Sequence, residues 1–371
     1  MGEDVYEEIK KYEIYRKQRW EDGAAIRNEE EYTVAWIGQE ILFSEDVEHW
    51  TGDLSKINRV NDGIDVNLNT YCWIHELYDF FDGKRKECNN YLRIYNLQQG
   101  EKNAIKKIWD KERLYFSLKK EIEKGYDFFI EAAPVVMWNE KGYFNLVGGH
   151  HRTVFQQHHG KISYPVRIKN EEYRIWENKD KLFETIEFIK QNHICKTYIP
   201  IPQPYFVNFP YQREAGNPSV LSSVLQYFGP IRLQNKKVLD VSQYEGYFAR
   251  ITKRMCAQDV KIYNEDAVMS RFIKMICDLL YIKDIEVLNS DGQQLKTICE
   301  EADIIFGMTN TRMLLEKGYL RRFSGQLFIE FDVADAEIVT MLREKTNLNK
   351  YKPLHREVFQ GKLMETGVMA V

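Results

Sequence analysis

The feature that most constrains this chain is a regular alternation of apolar runs and helical segments between Val238 and Val333. The runs read KVLDV, VKIYN, IEVLNS, ADIIFGM and QLFIEFD, and segments of helical pattern lie between them. Strands that alternate with helices in this way form βαβ units, whose parallel strands are buried on both faces. The alternation therefore predicts an α/β domain with a mostly parallel sheet and helices on both faces.

The length and charge of the chain restrict its class further. At 371 residues and 44% hydrophobic content, the chain can bury a sizeable core and is expected to form two domains. Its formal net charge of -4 does not match the basic surface of a nucleic-acid binder. No apolar run approaches the ~20 residues that cross a bilayer, and the charged N-terminus lacks the apolar stretch of a secretory signal. We therefore expect a cytoplasmic protein that binds neither nucleic acid nor a membrane.

A cluster of prolines marks the boundary between the two predicted domains. Five of the nine prolines lie between Pro200 and Pro218. Because proline fixes φ and removes a backbone donor, this stretch is expected to be extended and irregular. Its aromatic residues indicate that it packs along a domain surface rather than hanging free. The predicted boundaries are 1–199 for the N-terminal domain, 200–218 for the junction and 219–371 for the C-terminal domain.

Shorter patterns predict individual elements on either side of this junction. Residues 1–35 are typical of a charged helix, and the strand-like run YTVAWIGQEILF follows. Residues 110–125 have an amphipathic helical pattern that ends at a glycine. The runs APVVMW and YFNLV around the turn NEKG predict a β-hairpin, which TVFQQHH and ISYPVRI follow as helix and strand. Asn217 or Ser219 is expected to cap a helix over NPSVLSSVLQYFG.

The first strand of the alternating region ends in a turn suited to a nucleotide cofactor. Asp240 closes the strand, and Gly246 lies in the short loop before the next helix. In open parallel sheets, ligands bind beyond the carboxyl ends of strands, where a helix N-terminus offers free N–H groups. The stretch VLDVSQYEGYFA, with Asp240, Glu245 and Gly246, resembles the first motif of the Rossmann-like S-adenosylmethionine-dependent methyltransferases. Ser242 and Tyr244 stand where that family usually has glycines.

The resemblance covers about residues 219–335 and implies a set of cofactor contacts. The run VKIYNED ends where the family holds the ribose hydroxyls, and IEVLNSDGQQL resembles the motif that contacts adenine. The implied S-adenosylmethionine-binding residues are Asp240, Ser242, Glu245, Gly246, Asn264, Glu265, Asp291 and Gly292. Methyl transfer can proceed largely by proximity and orientation, so a catalytic base need not stand out. Asn310 and Asp332, at the ends of later strands, are the catalytic candidates in this region.

A second turn of functional character lies in the sequence NLVGGHHRTVFQQHH. Two glycines end a strand and His150 opens a helix, so free N–H groups, the helix dipole and the Arg152 guanidinium converge on one anion. This GGHHR box resembles that of the ParB/sulfiredoxin superfamily over residues 110–168, which implies an N-terminal α+β domain with a helical insertion. The phosphate-binding residues implied by the resemblance are Gly148, Gly149, His150, His151, Arg152 and Thr153.

The same resemblance suggests ATP or another nucleotide, together with Mg²⁺, as the ligand of this box. His150 stands where the reductases of the superfamily have their cysteine, so the box is closer to the kinase-like members, and Glu131 is the candidate base. His158 and His159, at the end of the helix, are expected to be structural. Six scattered cysteines without a C-x-x-C pair predict reduced thiols and no metal site.

The two turns lead to three hypotheses about function. The first is an S-adenosylmethionine-dependent methyltransferase that acts on a small or sugar-like acceptor, phosphorylated or nucleotide-linked, with an accessory nucleotide-binding domain. In the second, a small-molecule kinase or phosphotransferase works at the GGHHR box, and the methyltransferase-like domain is a degenerate scaffold. The third is a non-enzymatic, ParB-like binding module, which the acidic charge balance disfavours.

Overall fold

The computed structural model describes residues 31–45, 65–67, 72–123, 133–160, 163–203, 206, 209–213, 219–228, 233–289 and 292–371. The helix expected over residues 1–30 lies outside this part of the chain, as do Glu131, Asn217 and Asp291. Within the described ranges, no helix combines the length and the apolar character that a bilayer crossing requires.

The strands of the N-terminal lobe, residues 32–191, form two small sheets. β1 (Tyr32–Gly38) pairs antiparallel with β6 (Ser163–Lys169). The second sheet contains β2 (Leu42–Glu45), β3 (Asp65–Asn67), β4 (Val136–Asn139) and β5 (Tyr143–Leu146), in the order β3-β2-β5-β4. The antiparallel β4–β5 pair confirms the hairpin predicted around the NEKG turn. The expectation of helix through residue 35 is wrong at its end, because the β-branched and aromatic residues of YTVAWIG favour a strand.

The helices of this lobe form one group before the hairpin and another after it. The first group contains α1 (Cys72–Phe81), α2 (Asn89–Gln99) and α3 (Glu101–Glu123). After the hairpin come α4 (His150–His158), α5 (Asn170–Glu177) and α6 (Lys179–Gln191). The start of α3 was predicted at residue 110, which is wrong. In its first ten residues Ala104 is buried and Ile108 packs on the core, whereas Ile105 and Trp109 are exposed, so little of this half of the helix is buried.

The C-terminal lobe, residues 220–370, is built around a seven-stranded sheet. Its strands are β7 (Lys237–Asp240), β8 (Asp259–Tyr263), β9 (Ile285–Leu288), β10 (Ile304–Met308), β11 (Gln326–Asp332), β12 (Lys350–Phe359) and β13 (Lys362–Ala370). The spatial order is β12-β13-β11-β10-β7-β8-β9. Strands β7 to β11 are parallel, and the β12–β13 hairpin adds antiparallel to β11. The order reverses between β7 and β10, which is the topological switch point of a doubly wound sheet.

Helices cover both faces of this sheet. One face carries α7 (Val220–Phe228), α8 (Tyr247–Arg254) and α9 (Ala267–Leu279), and the other carries α10 (Gly292–Glu301), α11 (Thr311–Glu316) and α12 (Glu337–Lys345). Val238 packs into the first of these cores and its neighbour Leu239 into the second, because successive residues of a strand point to opposite faces. The predicted Rossmann-like α/β architecture is therefore confirmed. Ser219 caps α7, with its hydroxyl accepting from the Ser222 N–H at 3.1 Å.

The hydrophobic core is continuous between the two lobes. The cluster that contains Phe248 and Ile273 of the C-terminal lobe also contains Phe43 and Phe144 of the N-terminal lobe. At Gly142, in the hairpin turn, an added Cβ atom would lie 2.4 Å from the carbonyl oxygen of Leu280. The backbones of the two lobes therefore touch directly at this turn.

A buried salt bridge crosses the same boundary. Glu40, in the 3-10 turn Gln39–Ile41, accepts hydrogen bonds from Nε and Nη2 of Arg250 at 2.6 and 2.9 Å. Nη1 of Arg254 adds a third bond at 3.1 Å. All three side chains are buried, so a single carboxylate offsets part of the charge of two guanidinium groups away from water.

Candidate functional site

The turn after β7 is built around the carboxylate of Asp240. Its Oδ1 accepts hydrogen bonds from the N–H of Ser242 at 3.0 Å and from the Ser242 hydroxyl at 2.5 Å. Its Oδ2 accepts from the N–H of Ala249 at 3.1 Å, in the first turn of α8. Burial raises the pKa of Asp240 to about 6, against the opposing effect of these hydrogen bonds. The acid expected to contact a cofactor is therefore the internal anchor of the turn.

Gly246 fixes the shape of the same turn. Its φ of 69° lies in the left-handed region, which favours glycine. An added Cβ atom would also lie 2.4 Å from Cδ1 of Ile262 on β8. Backbone conformation and packing both require glycine here, whether or not a ligand binds.

The segment that connects the two lobes contacts the turn after β7 at Glu245. Glu245 is buried and accepts hydrogen bonds from the N–H of Tyr198 at 2.7 Å and from that of Ile199 at 3.4 Å. Burial raises the pKa of the Glu245 carboxyl to about 8, although these bonds and Arg250 oppose the shift. The connection is thus joined to the turn through a side chain that the sequence assigned to the cofactor.

Tyr244, which replaces a glycine of the family motif, lies in a buried polar network. Its hydroxyl donates to Oε2 of Glu330 on β11 at 2.5 Å. Arg213 from the connecting segment donates to Glu330 and to Glu357 on β12, and its guanidinium lies 3.6 Å from the centre of the Phe359 ring. The side chain of Tyr244 and its partners fill the space that a glycine would leave open.

Polar side chains remain accessible where the neighbouring strands end. Asn264, after β8, is half-buried and accepts from the N–H of Asp266 at 2.9 Å. Glu265 beside it is exposed and forms a salt bridge of 3.1 Å with Lys317. Asn310, after β10, donates from Nδ2 to the carbonyl oxygen of Val241 at 2.6 Å. This bond ties the end of β10 to the turn after β7 across the switch point.

Two further predicted residues serve local structure at this edge. Asp332, at the end of β11, accepts from the N–H of Ala334 at 3.0 Å and lies 3.6 Å from Lys362 Nζ. It caps the short 3-10 turn Val333–Asp335. Gly292 begins α10, and a Cβ atom there would lie 2.1 Å from the Tyr319 hydroxyl. The edge therefore brings Asp240, Ser242, Asn264 and Asn310 to adjoining strand ends, with Asp332 two strands from β7.

The GGHHR sequence forms the N-terminus of α4, as predicted. Gly149 is the N-cap with φ of 84°, and no side chain within the described residues caps this helix. His150 and Arg152 are half-buried, and Lys107 and Lys111 of α3 contribute positive charge beside them. Burial, Lys107 and Arg152 together lower the pKa of Lys111 to about 8, and burial with Lys111 lowers that of His150 to about 4. We call this group of Lys107, Lys111, His150 and Arg152 the α4 basic turn.

The remaining residues of the box are directed into the lobe. Nε2 of His151 lies 3.4 Å from the hydroxyl oxygens of both Tyr91 and Tyr95, and burial lowers the pKa of this histidine. Thr153 is buried and donates its hydroxyl to the carbonyl oxygen of Gly149 at 3.2 Å. These two side chains therefore pack the helix instead of facing an anion.

The histidines at the other end of α4 also have protein partners. Nε2 of His158 lies 3.2 Å from Oδ2 of Asp82, and Nδ1 of His159 lies 2.9 Å from the carbonyl oxygen of Phe155. In the part of the chain that the structure describes, no group of three or more His, Cys, Asp or Glu side chains is placed to hold a metal ion.

Several residues of both sites were not predicted from the sequence. Glu330 interrupts the apolar run of β11, and an acid inside a buried strand is a signal that it has a partner. Arg213 is separated from it by more than a hundred residues, so no local pattern joins them. Lys107 and Lys111 are four residues apart on α3, a spacing that places them on one helix face.

The comparisons with known proteins gave weak matches to part of the chain. No protein-family model and no curated protein matches it. The ribosomal protein L11 methylase of Lactobacillus delbrueckii subsp. bulgaricus is 15% identical, covering 42% of this chain and 81% of that one, with a TM-score of 0.33. The dimethyladenosine transferase of Plasmodium falciparum is 16% identical, covering 42% and 62%, with a TM-score of 0.33. M. jannaschii TYW2 in complex with AdoMet is 12% identical, covering 38% and 72%, with a TM-score of 0.29. Likenesses of this size carry no argument about activity.

Proposed function

We propose that the C-terminal lobe is an S-adenosylmethionine-dependent methyltransferase that acts on a small or sugar-like acceptor. The observation that carries this proposal is the position of the turn Asp240–Gly246. It follows the first strand of a doubly wound sheet, opens a helix and lies at the switch point, where nucleotide cofactors bind in such folds. The resemblance of VLDVSQYEGYFA to the first methyltransferase motif then selects the cofactor within that class.

The side chains at this edge fit the nucleoside part of such a cofactor. A ribose presents two neighbouring hydroxyls, each of which donates and accepts. The amide of Asn264 and the exposed carboxylate of Glu265 supply donors and acceptors beside each other at the end of β8. When bound, S-adenosylmethionine supplies a methyl group carried on a positively charged sulfur. Asp240, Tyr244 and Glu245 support the site from within, since their polar atoms are engaged by the protein itself.

Asn310 and its surroundings are proposed to hold the acceptor. Asn310 is fixed through its bond to Val241, and the exposed Thr309 precedes it at the end of β10. Rigid placement of this kind suits methyl transfer, in which orientation of the two reactants provides much of the acceleration. Asp332 is proposed to contact the acceptor with the part of its carboxylate that does not cap the 3-10 turn.

Isothermal titration of the full chain with S-adenosylmethionine and with its demethylated product tests this proposal. The variant Asn264→Ala/Glu265→Ala removes the proposed ribose contacts at two side chains that are not buried. We expect it to bind about tenfold more weakly or worse, because each bond to a charged group contributes about 1.5–3 kcal/mol. Glu344→Ala, at an exposed acid of α12, is the matched control. Absence of binding to folded wild-type protein at millimolar cofactor would reject the proposal.

The α4 basic turn supports a second proposed activity, the binding of a phosphate or nucleotide. Burial and the like charges of Lys107 and Arg152 lower the pKa of Lys111 there, and an anion would relieve the repulsion between these charges. The helix N-terminus adds N–H donors and a favourable dipole. This site accommodates either the phosphate of a nucleotide-linked acceptor or, in the rival hypothesis, the nucleotide of a small-molecule phosphotransferase.

Measuring the binding of both ligands to both variants distinguishes the two proposed activities. Arg152→Ala should weaken binding of ATP with Mg²⁺ and leave S-adenosylmethionine binding unchanged, while Asn264→Ala/Glu265→Ala should do the reverse. ATP turnover that Arg152→Ala abolishes and the C-terminal variant leaves intact would favour the phosphotransferase. A salt-dependent shift of duplex DNA by wild-type protein would instead favour the ParB-like binding module.

A further inference from the structure

A cavity of about 290 Å³ lies between the lobes, at the sheet edge opposite to the turn after β7. Glu140 and Lys141 of the β4–β5 turn form its N-terminal wall. The C-terminal wall consists of the end of α8 and the residues that precede β8 and β9. Because these strands are parallel, their amino ends and their carboxyl ends lie on opposite edges, so the cavity is separate from the turn after β7. The α4 basic turn follows β5, whereas Glu140 and Lys141 precede this strand, so the cavity is separate from that turn as well.

The walls of this cavity are held firmly against each other. Gly142 packs on the carbonyl of Leu280 so closely that a Cβ atom would not fit. Nδ2 of Asn178 donates to the carbonyl oxygens of Asp278 and Leu279 at 3.3 and 3.2 Å, and Tyr281 donates its hydroxyl to Ile175. The volume is therefore a feature of the packed interface between the lobes.

Positive charge dominates the lining. Lys141, Lys253 and Lys283 outnumber the two acids of the lining, Glu140 and Asp284, and they come from both lobes. Arg254 also lines the cavity, and its charge is paired with Glu40. Lysines and arginines near the ends of helices often serve the helix carbonyls. Here Asn178 already donates to the last two carbonyl oxygens of α9, and Nη2 of Arg254 donates to the carbonyl oxygen of Leu280 at 3.4 Å. The surplus of cations is consequently not explained by helix capping.

Arg254 also lines this cavity. Its side chain is fully buried and two of its nitrogens bond Glu40 and Leu280. Its Nε, however, has no hydrogen-bond partner in the part of the chain that the structure describes. Buried guanidinium N–H groups are normally paired.

We propose that this cavity binds a small oxyanion of the phosphomonoester class and so links the two lobes. The size is at the lower end of small-molecule sites, which span about 300–1,000 Å³, so a short phosphorylated metabolite fits better than a nucleotide. Phosphate oxygens accept charge-assisted bonds from lysine and arginine. The ring of Tyr281 and the side chains of Ala257 and Ile282 give the ester part an apolar wall.

Cys256 makes this proposal testable at the site itself. It lines the cavity, is half-buried, and its Sγ lies 3.8 Å from Nζ of Lys141. The rate of its alkylation by iodoacetamide is measured by mass spectrometry of the Cys256 peptide, with inorganic phosphate and with chloride at equal ionic strength. At a phosphate concentration about ten times the dissociation constant, alkylation should slow about tenfold.

Three variants locate the effect. In Lys141→Gln/Lys283→Gln the ratio of the alkylation rate in chloride to that in phosphate should fall towards one, because the substitutions remove the charges of both exposed lysines of the lining. Lys345→Gln, an exposed lysine of α12, should keep the wild-type ratio. Arg152→Gln should keep it as well, because the α4 basic turn is a different site. Comparing ratios removes any change in the intrinsic reactivity of the thiol.

The proposal is overturned by either of two results. One is an unchanged alkylation rate at about 50 mM phosphate, where a site of millimolar affinity is saturated. The other is protection that persists in Lys141→Gln/Lys283→Gln, which would place the phosphate elsewhere. Neither result depends on S-adenosylmethionine binding, so the proposed methyltransferase activity stands or fails separately.

Discussion

Replacing Glu40 by glutamine tests how the lobes are held together. The substitution keeps the size of the side chain and removes the negative charge that Arg250 and Arg254 share, with all three side chains at most 3% exposed. Breaking a buried salt bridge from one side costs about 3–5 kcal/mol, because the remaining charge is left without a counter-charge. Arg250 keeps a bond to the carbonyl of Glu245, and Arg254 one to that of Leu280. We therefore expect a loss near the lower end, about 3 kcal/mol.

Urea unfolding followed by circular dichroism measures this loss. With a slope of about 3 kcal/mol/M, the midpoint of Glu40→Gln should fall by about 1 M. Glu184→Gln is the control, since its partner Lys181 is 2.8 Å away but both side chains are well exposed, and such pairs contribute less than about 1 kcal/mol. If the two variants shift the midpoint equally, the buried salt bridge does not hold the lobes as reasoned here.

Three further predictions concern the turn after β7. Tyr244→Phe should cost about 1–3 kcal/mol of stability, because a buried carboxylate loses a 2.5 Å bond, and a thermal midpoint equal to that of wild type would contradict this. Gly246→Ala should destabilise clearly more than Gly361→Ala: both glycines have positive φ, but an added Cβ meets Ile262 only at the first. Burial raises the pKa of Glu245 to about 8 from an ordinary 4.5. The carboxyl therefore contributes most stability below about pH 4.5 and loses it as the pH rises through 8. The stability of wild type relative to Glu245→Gln should fall between about pH 5 and pH 8.5, and a constant difference would refute the reasoning.

The parallel part of the sheet could be predicted from the sequence because each of its strands is a short, mainly apolar run between helical segments. The antiparallel β12–β13 hairpin was not predicted. Pro353 within β12 argues locally against a strand, and it is tolerated because β12 is the edge of the sheet. The turn Gln360-Gly361 has positive φ at both residues, but its sequence is not among the strongest hairpin signals.

In the candidate sites too, features set by residues close in the chain could be predicted, and contacts between distant residues could not. That Asp240 and Gly246 form a helix-opening turn follows from residues close in the chain. That Tyr244 bonds Glu330, and that Glu245 bonds the segment at Tyr198, depends on how distant elements pack. Side chains of the predicted cofactor motif can therefore be bonded to partners 47 or 86 residues away.

The position of β13 inside the sheet has a consequence for biosynthesis. Since β13 lies between β11 and β12, the sheet stays incomplete until residues 362–370 have left the ribosome. Until then β11, with the apolar side chains of Leu327, Ile329 and Phe331, presents an open edge on the nascent chain. Unpaired edges of this kind promote association between chains. High-level expression is therefore expected to benefit from chaperones that shield β11 until its partner strand arrives.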